Sequence, residues 1–363
     1  MRKISGLDFL RGISILLVMA YHFEITPLLT ISGWAGVDMF FVLSGFLVSG
    51  LLFSEYNQSG KIRPFYFLIR RGFKIYPLFY FAVFFHLVYF FCKGIHLTRP
   101  QILAELFFYQ NYTPGVMGIS WSLAVEEHFY FLLAILLFFA YRGGIVRNRR
   151  AITGSILFIC CTCLVLRLYE YNPESYDLYR NYFPTHLRID SLAFGVLISY
   201  IFIYSGDQLL RYLKKYKIQS LLIASLFIMP IFILKRNTFF VSVFGHTLLY
   251  IGYGIIMANM IVFAKEIDFF LKKYRLIYAY NFISWVGVYS FGIYLFHLKV
   301  GPIVSNWVRM NITGGMPVLV YFLIYLTGNI CAGVFFSRII ERPFLRLREK
   351  YFPRISGISI RGN

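Results

Sequence analysis

Ten apolar stretches of about 17 to 25 residues set the limit on what this chain can fold into. They lie near residues 7–24, 33–53, 76–92, 120–140, 151–168, 185–205, 218–234, 240–264, 281–300 and 316–337. An α-helix rises about 1.5 Å per residue, so each stretch can cross a hydrocarbon layer about 30 Å thick. With 59% of its 363 residues hydrophobic and only 14% charged, the chain has too little polar surface for a soluble domain of this size. The expected fold is an all-α integral membrane protein, a bundle of about ten transmembrane helices.

The formal charge of +20 is read by its placement. Basic residues crowd onto alternate connections: Arg2 and Lys3, then 54–75, 141–150, 206–217, 265–279, and the tail from Arg338 onward. The intervening connections hold only scattered cations such as Lys93, Arg99, Arg180, Lys235, Arg236 and Arg309. The positive-inside bias then puts both termini in the cytoplasm of a plasma or inner membrane, which requires an even number of spans. It also accounts for the charge without any nucleic-acid partner. Residues 1–24 lack a small-residue cleavage site and read as a retained first helix. Cys92, Cys160, Cys161, Cys163 and Cys331 all fall within apolar runs without zinc-like spacing, so no metal site is expected. One membrane domain over residues 1–346 is expected, followed by a short basic cytoplasmic tail over 347–363. Amphipathic pieces are expected at the interface near 62–75, 101–110 and 265–280.

Ionisable residues inside such stretches are costly and normally face a bundle interior or a watery cavity. The first stretch carries Asp8, Arg11 and His22. Eleven residues at about 100° each come within about 20° of three turns, so Arg11 and His22 share a face, about 16 Å apart. With the N-terminus inside, Arg11 lies toward the cytoplasm and His22 toward the outside. Glu126 and Glu127 of the fourth stretch, Arg188 and Asp190 of the sixth and His297 of the ninth are expected at the outer level. A histidine beside a carboxylate can take a proton from a hydroxyl, which makes His22 with Glu126 or Glu127 a candidate catalytic pair. The alternative is a polar contact that fixes helix packing, with one glutamate answering a partner such as Arg188. On the inner side Arg70, Arg71 and Lys74 can grip phosphates or simply mark topology.

Five motifs in order resemble the acyltransferase-3 family of membrane acyltransferases: Leu7-Asp8-Phe9-Leu10-Arg11-Gly12 leading to His22, residues 40–46, the basic cluster before Ile75-Tyr76-Pro77, Trp121-Ser122-Leu123 with Glu126-Glu127, and Glu341-Arg342-Pro343-Phe344. The resemblance spans about residues 5 to 346. It implies transfer of an acyl group, most often acetyl, from cytosolic acyl-CoA to a hydroxyl of a surface glycan such as lipopolysaccharide or an exopolysaccharide. In family terms Arg11 and His22 match the essential pair of the first helix, while Arg71 and Lys74 match a paired-arginine motif whose second member is here lysine. The expected site comprises His22, Glu126, Glu127 and Arg11 as catalytic groups. Arg70, Arg71, Lys74, Arg188, Asp190 and His297 are the expected substrate-binding groups. Acyl-CoA enters as a substrate, with no bound cofactor. Some relatives carry an extra extracytoplasmic hydrolase-like domain, and this chain is expected to work without one. The competing class is a transporter or flippase of a lipid-linked sugar, which would release no thiol from acyl-CoA.

Overall fold

The computed structural model describes residues 5–23, 27–311 and 317–353. Arg2, Lys3, Arg309's side chain and the tail beyond Pro353 lie outside the described residues. Among the described residues every regular element is helical. In chain order the main helices are α1 (Ser5–Phe23), α2 (Gly36–Ser59), α3 (Pro64–Cys92), α4 (Arg99–Leu106), α5 (Trp121–Arg142), α6 (Arg149–Glu170), α7 (Thr185–Lys215), α8 (Lys217–Ile228), α9 (His246–Val262), α10 (Ile277–Val288), α11 (Ser290–Asn311), α12 (Val318–Phe336) and α13 (Arg342–Tyr351).

Eight helical segments among the described residues are long and apolar enough to cross a membrane, and α10 with α11 makes a ninth if counted as one broken span. That pair bends by 79° at Tyr289. The stretch near 218–234 forms a shorter apolar helix instead, interrupted where α8 stops just before Pro230. Proline has no N–H to give to the preceding turn, so a short helix restarts at that residue.

One local result differs from the sequence expectation. Residues 62–75 are no separate interfacial piece: α3 starts at Pro64 and runs unbroken for 29 residues, carrying Arg70, Arg71 and Lys74 within it. Pro64 fits the first helical turn, where an N–H would lack a partner anyway. The connection before α5 carries the short helix α4 and is held by its own polar side chains. Glu105 accepts from the Val116 and Met117 N–H groups at 2.8 and 3.1 Å, Gln110 Nε2 donates to the Ser120 carbonyl at 3.0 Å, and Asn111 Nδ2 donates to Thr185 Oγ1 at 2.8 Å. Glu105 and Gln110 take up polar backbone of the loop, and at the start of α5 Trp121 stacks on Phe183 with ring centroids 4.7 Å apart.

Close helix approaches fix the frame of the site. A Cβ on Gly12 would lie 2.0 Å from the Ile283 carbonyl oxygen, and one on Gly287 would lie 1.9 Å from the Asp8 carbonyl oxygen. The α1–α10 crossing is therefore backbone against backbone, as small residues allow between membrane helices. Gly45 and Gly195 do the same where α2 meets α7. Large exposed side chains such as Phe91, Phe158, Tyr169 and Phe139 cover the outside, the surface expected to meet lipid.

Candidate functional site

A cavity of about 110 Å³, room for several water molecules, opens where α1, α2, α3, α5 and the α10–α11 break converge. Three cations, Arg11, Arg71 and Lys74, and one carboxylate, Glu126, line it together with Ser44, Ser122 and Tyr294. Tyr130, fully buried behind this lining, organises it. Its hydroxyl donates to Glu126 Oε2 at 2.6 Å and accepts from Arg71 Nη2 at 2.5 Å. A phenol has one proton and two lone pairs, so Ser44 Oγ, 2.5 Å away, must be the donor in the third contact. The Arg71 guanidinium also lies 4.3 Å from the centroid of the same ring.

Neighbouring groups complete the cavity wall. Arg11 lies 3.7 Å from Asp8, one turn earlier on α1. Lys74 is ion-paired with Glu341, which arrives from the segment before α13. Ser122 Oγ meets Tyr294 Oη at 2.7 Å, and that phenol donates onward to the Ile119 carbonyl at 2.7 Å. Ser122 is then the donor in its contact with Tyr294. Glu127, one residue from Glu126 and about 100° round the helix, turns to Tyr76 at 2.9 Å.

His22 stands at the other end of α1 and is exposed, whereas His297 beside it is fully buried. His297 Nδ1 lies 2.8 Å from the Tyr294 carbonyl, and His22 Nδ1 lies 2.9 Å from the Val18 carbonyl. Carbonyls only accept, so both Nδ1 atoms carry protons. His297 Nε2 is then a lone pair in the neutral ring, and it receives His22 Nδ1–H at 3.2 Å. In the neutral ring His22 Nε2 is then the unprotonated nitrogen. Tyr294 touches both regions: its ring lines the cavity and its carbonyl sets the tautomer of His297, one turn along α11.

The structure brings Arg11, Arg71, Lys74 and Glu126 together, and places His22 with His297. It does not pair His22 with either glutamate: among the described residues its hydrogen-bond partners are Val18 and His297. Glu126 lines the same cavity as Arg11, and His22 is not among its lining residues. Arg188 answers neither glutamate. It is buried against Asp38 at 2.8 Å and hydrogen-bonded to His246. Asp190 pairs with Arg167 at 2.7 Å, equally buried. Arg70 lies outside the cavity lining, held by Glu349 at 2.9 Å and by the Phe352 carbonyl. The sequence reading missed Asp38, Tyr130, Arg167 and Tyr294. Asp38 carried a usable signal, a carboxylate in the middle of an apolar run. Among the described residues no group of three or more His, Cys, Asp or Glu side chains is arranged to hold a metal.

Residues 4–338 match a family model described as an acyltransferase domain. A provisionally named O-acetyltransferase of Staphylococcus aureus (strain COL) is 28% identical over 99% of this chain and 61% of its own length. The peptidoglycan O-acetyltransferase OatA of Listeria monocytogenes serovar 1/2a is 26% identical over 82% of this chain and 49% of its own. A provisionally named peptidoglycan O-acetyltransferase of Bacillus subtilis (strain 168) is likewise 26% identical, over 82% of this chain and 49% of its own. The chain thus spans about half to three fifths of the relatives it matches. No solved structure matches.

Proposed function

The chain belongs to the acyltransferase-3 family, and we propose that it moves an acyl group, acetyl by preference, from acyl-CoA to a hydroxyl of a surface polysaccharide. The Listeria relative is named for peptidoglycan, which supports a cell-surface glycan as the acceptor class. The charge distribution supports a cytoplasmic position for both termini, and hence a donor that enters from the Arg11 end of α1.

In this reading the phosphates of the donor meet Arg71 and Lys74, with Arg70 nearby on the same helix. A guanidinium offers paired donors to an oxyanion, while lysine acts as a point charge. The acyl-thioester arm reaches into the cavity, where Ser122 and Arg11 are within the lining. The acceptor approaches from the His22 end. His22 Nε2 takes the proton of the acceptor hydroxyl, the oxygen forms a bond to the thioester carbonyl carbon, and the carbon–sulfur bond breaks. The thiolate leaves, and the proton held on His22 passes to it or to water. Glu126 acts within the Arg71–Tyr130 network, holding the cations in place.

The observation that carries this reading is the placement of His22 Nδ1, 2.9 Å from the Val18 carbonyl and 3.2 Å from His297 Nε2, which assigns the ring's free lone pair to Nε2. A base within reach of a hydroxyl contributes about 10²–10⁴-fold. The test uses purified protein in lipid nanodiscs with acetyl-CoA and candidate glycans, measuring free thiol and glycan ester together. His22→Ala should lose both at unchanged yield and thermal stability. Ester formation near the wild-type rate in that variant would overturn the assignment. Absence of glycan-dependent thiol release in the wild type would overturn the transferase reading and favour transport.

A further inference from the structure

Two guanidinium groups approach the ring of Tyr182: Arg188 lies 4.6 Å from its centroid and Arg236 4.5 Å. Arg188 is answered by Asp38 at 2.8 Å. Among the described residues no carboxylate is ion-paired with Arg236. Among the described residues two cations around one ring therefore share a single carboxylate, which leaves the half-buried Arg236 with its charge unanswered there. Holding a partly desolvated guanidinium beside another is unfavourable unless an anion joins them. The Arg236 backbone is tied down, its carbonyl accepting from Ser242 Oγ at 2.9 Å.

A second observation points the same way. The hydroxyls of Tyr182, a residue only 1% exposed, and of Tyr176 are buried beside Arg236, whose guanidinium can donate to both but accept from neither. Arg236 interacts electrostatically with both phenols and with Tyr21. Among the described residues this guanidinium has no paired carboxylate and the Tyr182 phenol beside it keeps a proton to give, a set of donors that lacks an oxyanion. A neutral hydroxyl would satisfy one of these donors but would leave the charge unanswered.

The cluster sits at the His22 end of α1. Trp34 lies 6.0 Å from Arg236, and its neighbour Gly33 packs so closely on α1 that an added Cβ would come within 2.7 Å of Tyr21 Cβ. The Tyr21 ring meets the imidazole of His22 edge-on at 4.9 Å, and Arg236 interacts electrostatically with His22. We propose that Arg236 and the Tyr182 hydroxyl form a subsite for an anionic group of the acceptor, so that the preferred acceptor is an acidic glycan bearing a carboxylate or a phosphate. This rests on the reading of His22 as the base of acyl transfer.

The test is equilibrium binding to the full chain in nanodiscs of phosphatidylcholine, with three probes: a uronate trisaccharide, a phosphorylated trisaccharide and an uncharged trisaccharide. A hydrogen-bonded charge pair supports about a tenfold preference or more for a charged probe, and the probe that gains identifies carboxylate or phosphate. Arg236→Gln should bring the ratio of charged to uncharged affinity to about one, and Arg236→Lys should keep part of it. Tyr182→Phe, which preserves the ring and both cation contacts, should lower the preference several-fold. A wild-type ratio near one, or a ratio unchanged in Arg236→Gln at normal thermal stability, overturns the proposal. Repeating the measurement in nanodiscs containing phosphatidylglycerol separates a lipid site: loss of the preference there would mean that a lipid phosphate occupies Arg236, and would also overturn it. His22→Ala should keep the binding preference while losing ester transfer, so failure of the base assignment is read from transfer and failure of this proposal from the ratio.

Discussion

His297 Nε2 lies 3.2 Å from His22 Nδ1, so a fully buried ring on α11 holds the exposed ring at the end of α1 in one tautomer. His297→Ala removes that acceptor but leaves the Val18 carbonyl in place. The expected result is a fall in kcat of roughly tenfold or more with KM for acyl-CoA little changed, because an orienting group acts on the chemical step. An altered pH–rate profile should accompany it. Unchanged kcat would reduce His297 to a packing residue.

Tyr130→Phe keeps the ring under Arg71 but removes the hydroxyl shared by Ser44, Arg71 and Glu126. Stranding buried polar partners costs about 1–3 kcal/mol. Thermal unfolding in nanodiscs should show that loss, together with weaker CoA binding as Arg71 is released. A variant with wild-type stability and CoA affinity would show that the three groups hold themselves.

The three cations of α3 should not be equivalent. Arg71 and Lys74 line the cavity, whereas Arg70 is engaged by Glu349 and the Phe352 carbonyl. Calorimetric titration with CoA should give roughly a tenfold loss of affinity for Arg71→Ala and for Lys74→Ala, the scale of one charge-assisted contact. Arg70→Ala should lose less than about threefold, in keeping with an exposed ion pair. Equal losses at all three positions would point to a diffuse basic surface.

Glu105 lies outside the spanning helices, and burial pushes its carboxyl up from 4.5 to about 7 against the hydrogen bonds it accepts from Ser120, Met117 and Val116. The fold therefore binds the proton more tightly than the unfolded chain does. Its stabilising contribution is complete below about pH 4.5 and is lost as the pH rises through about 7, a difference on the order of 3 kcal/mol. Glu105→Gln should flatten that part of the stability–pH curve and raise stability above pH 7. The same slope in wild type and variant would sink the account.

The all-α membrane fold was legible because span length and apolarity are local properties of the chain, and each of the ten stretches corresponds to helix in the structure. Partnerships were less legible because they depend on depth. Glu126 shares a cavity with Arg11 because α1 and α5 converge there, a juxtaposition that no local pattern announces. Arg188 offered no clue that its partner was Asp38, 150 positions earlier. Tyr130 looked like one aromatic among many, since nothing in a local pattern tells a phenol with three polar partners from a lipid-facing one.

The break at Tyr289 gives the membrane interior something that a continuous span would not. Ser290 and Phe291 are the first residues of α11 and also form part of the cavity wall. The opening turn of a helix leaves backbone N–H groups without partners inside the helix, and the aligned peptide dipoles leave about half a positive charge at that end. Irregular backbone at this depth is tolerated where it borders a cavity rather than lipid. The start of α11 thus brings main-chain polarity to the wall that Arg11, Arg71 and Lys74 also line, a contribution that no side-chain substitution removes.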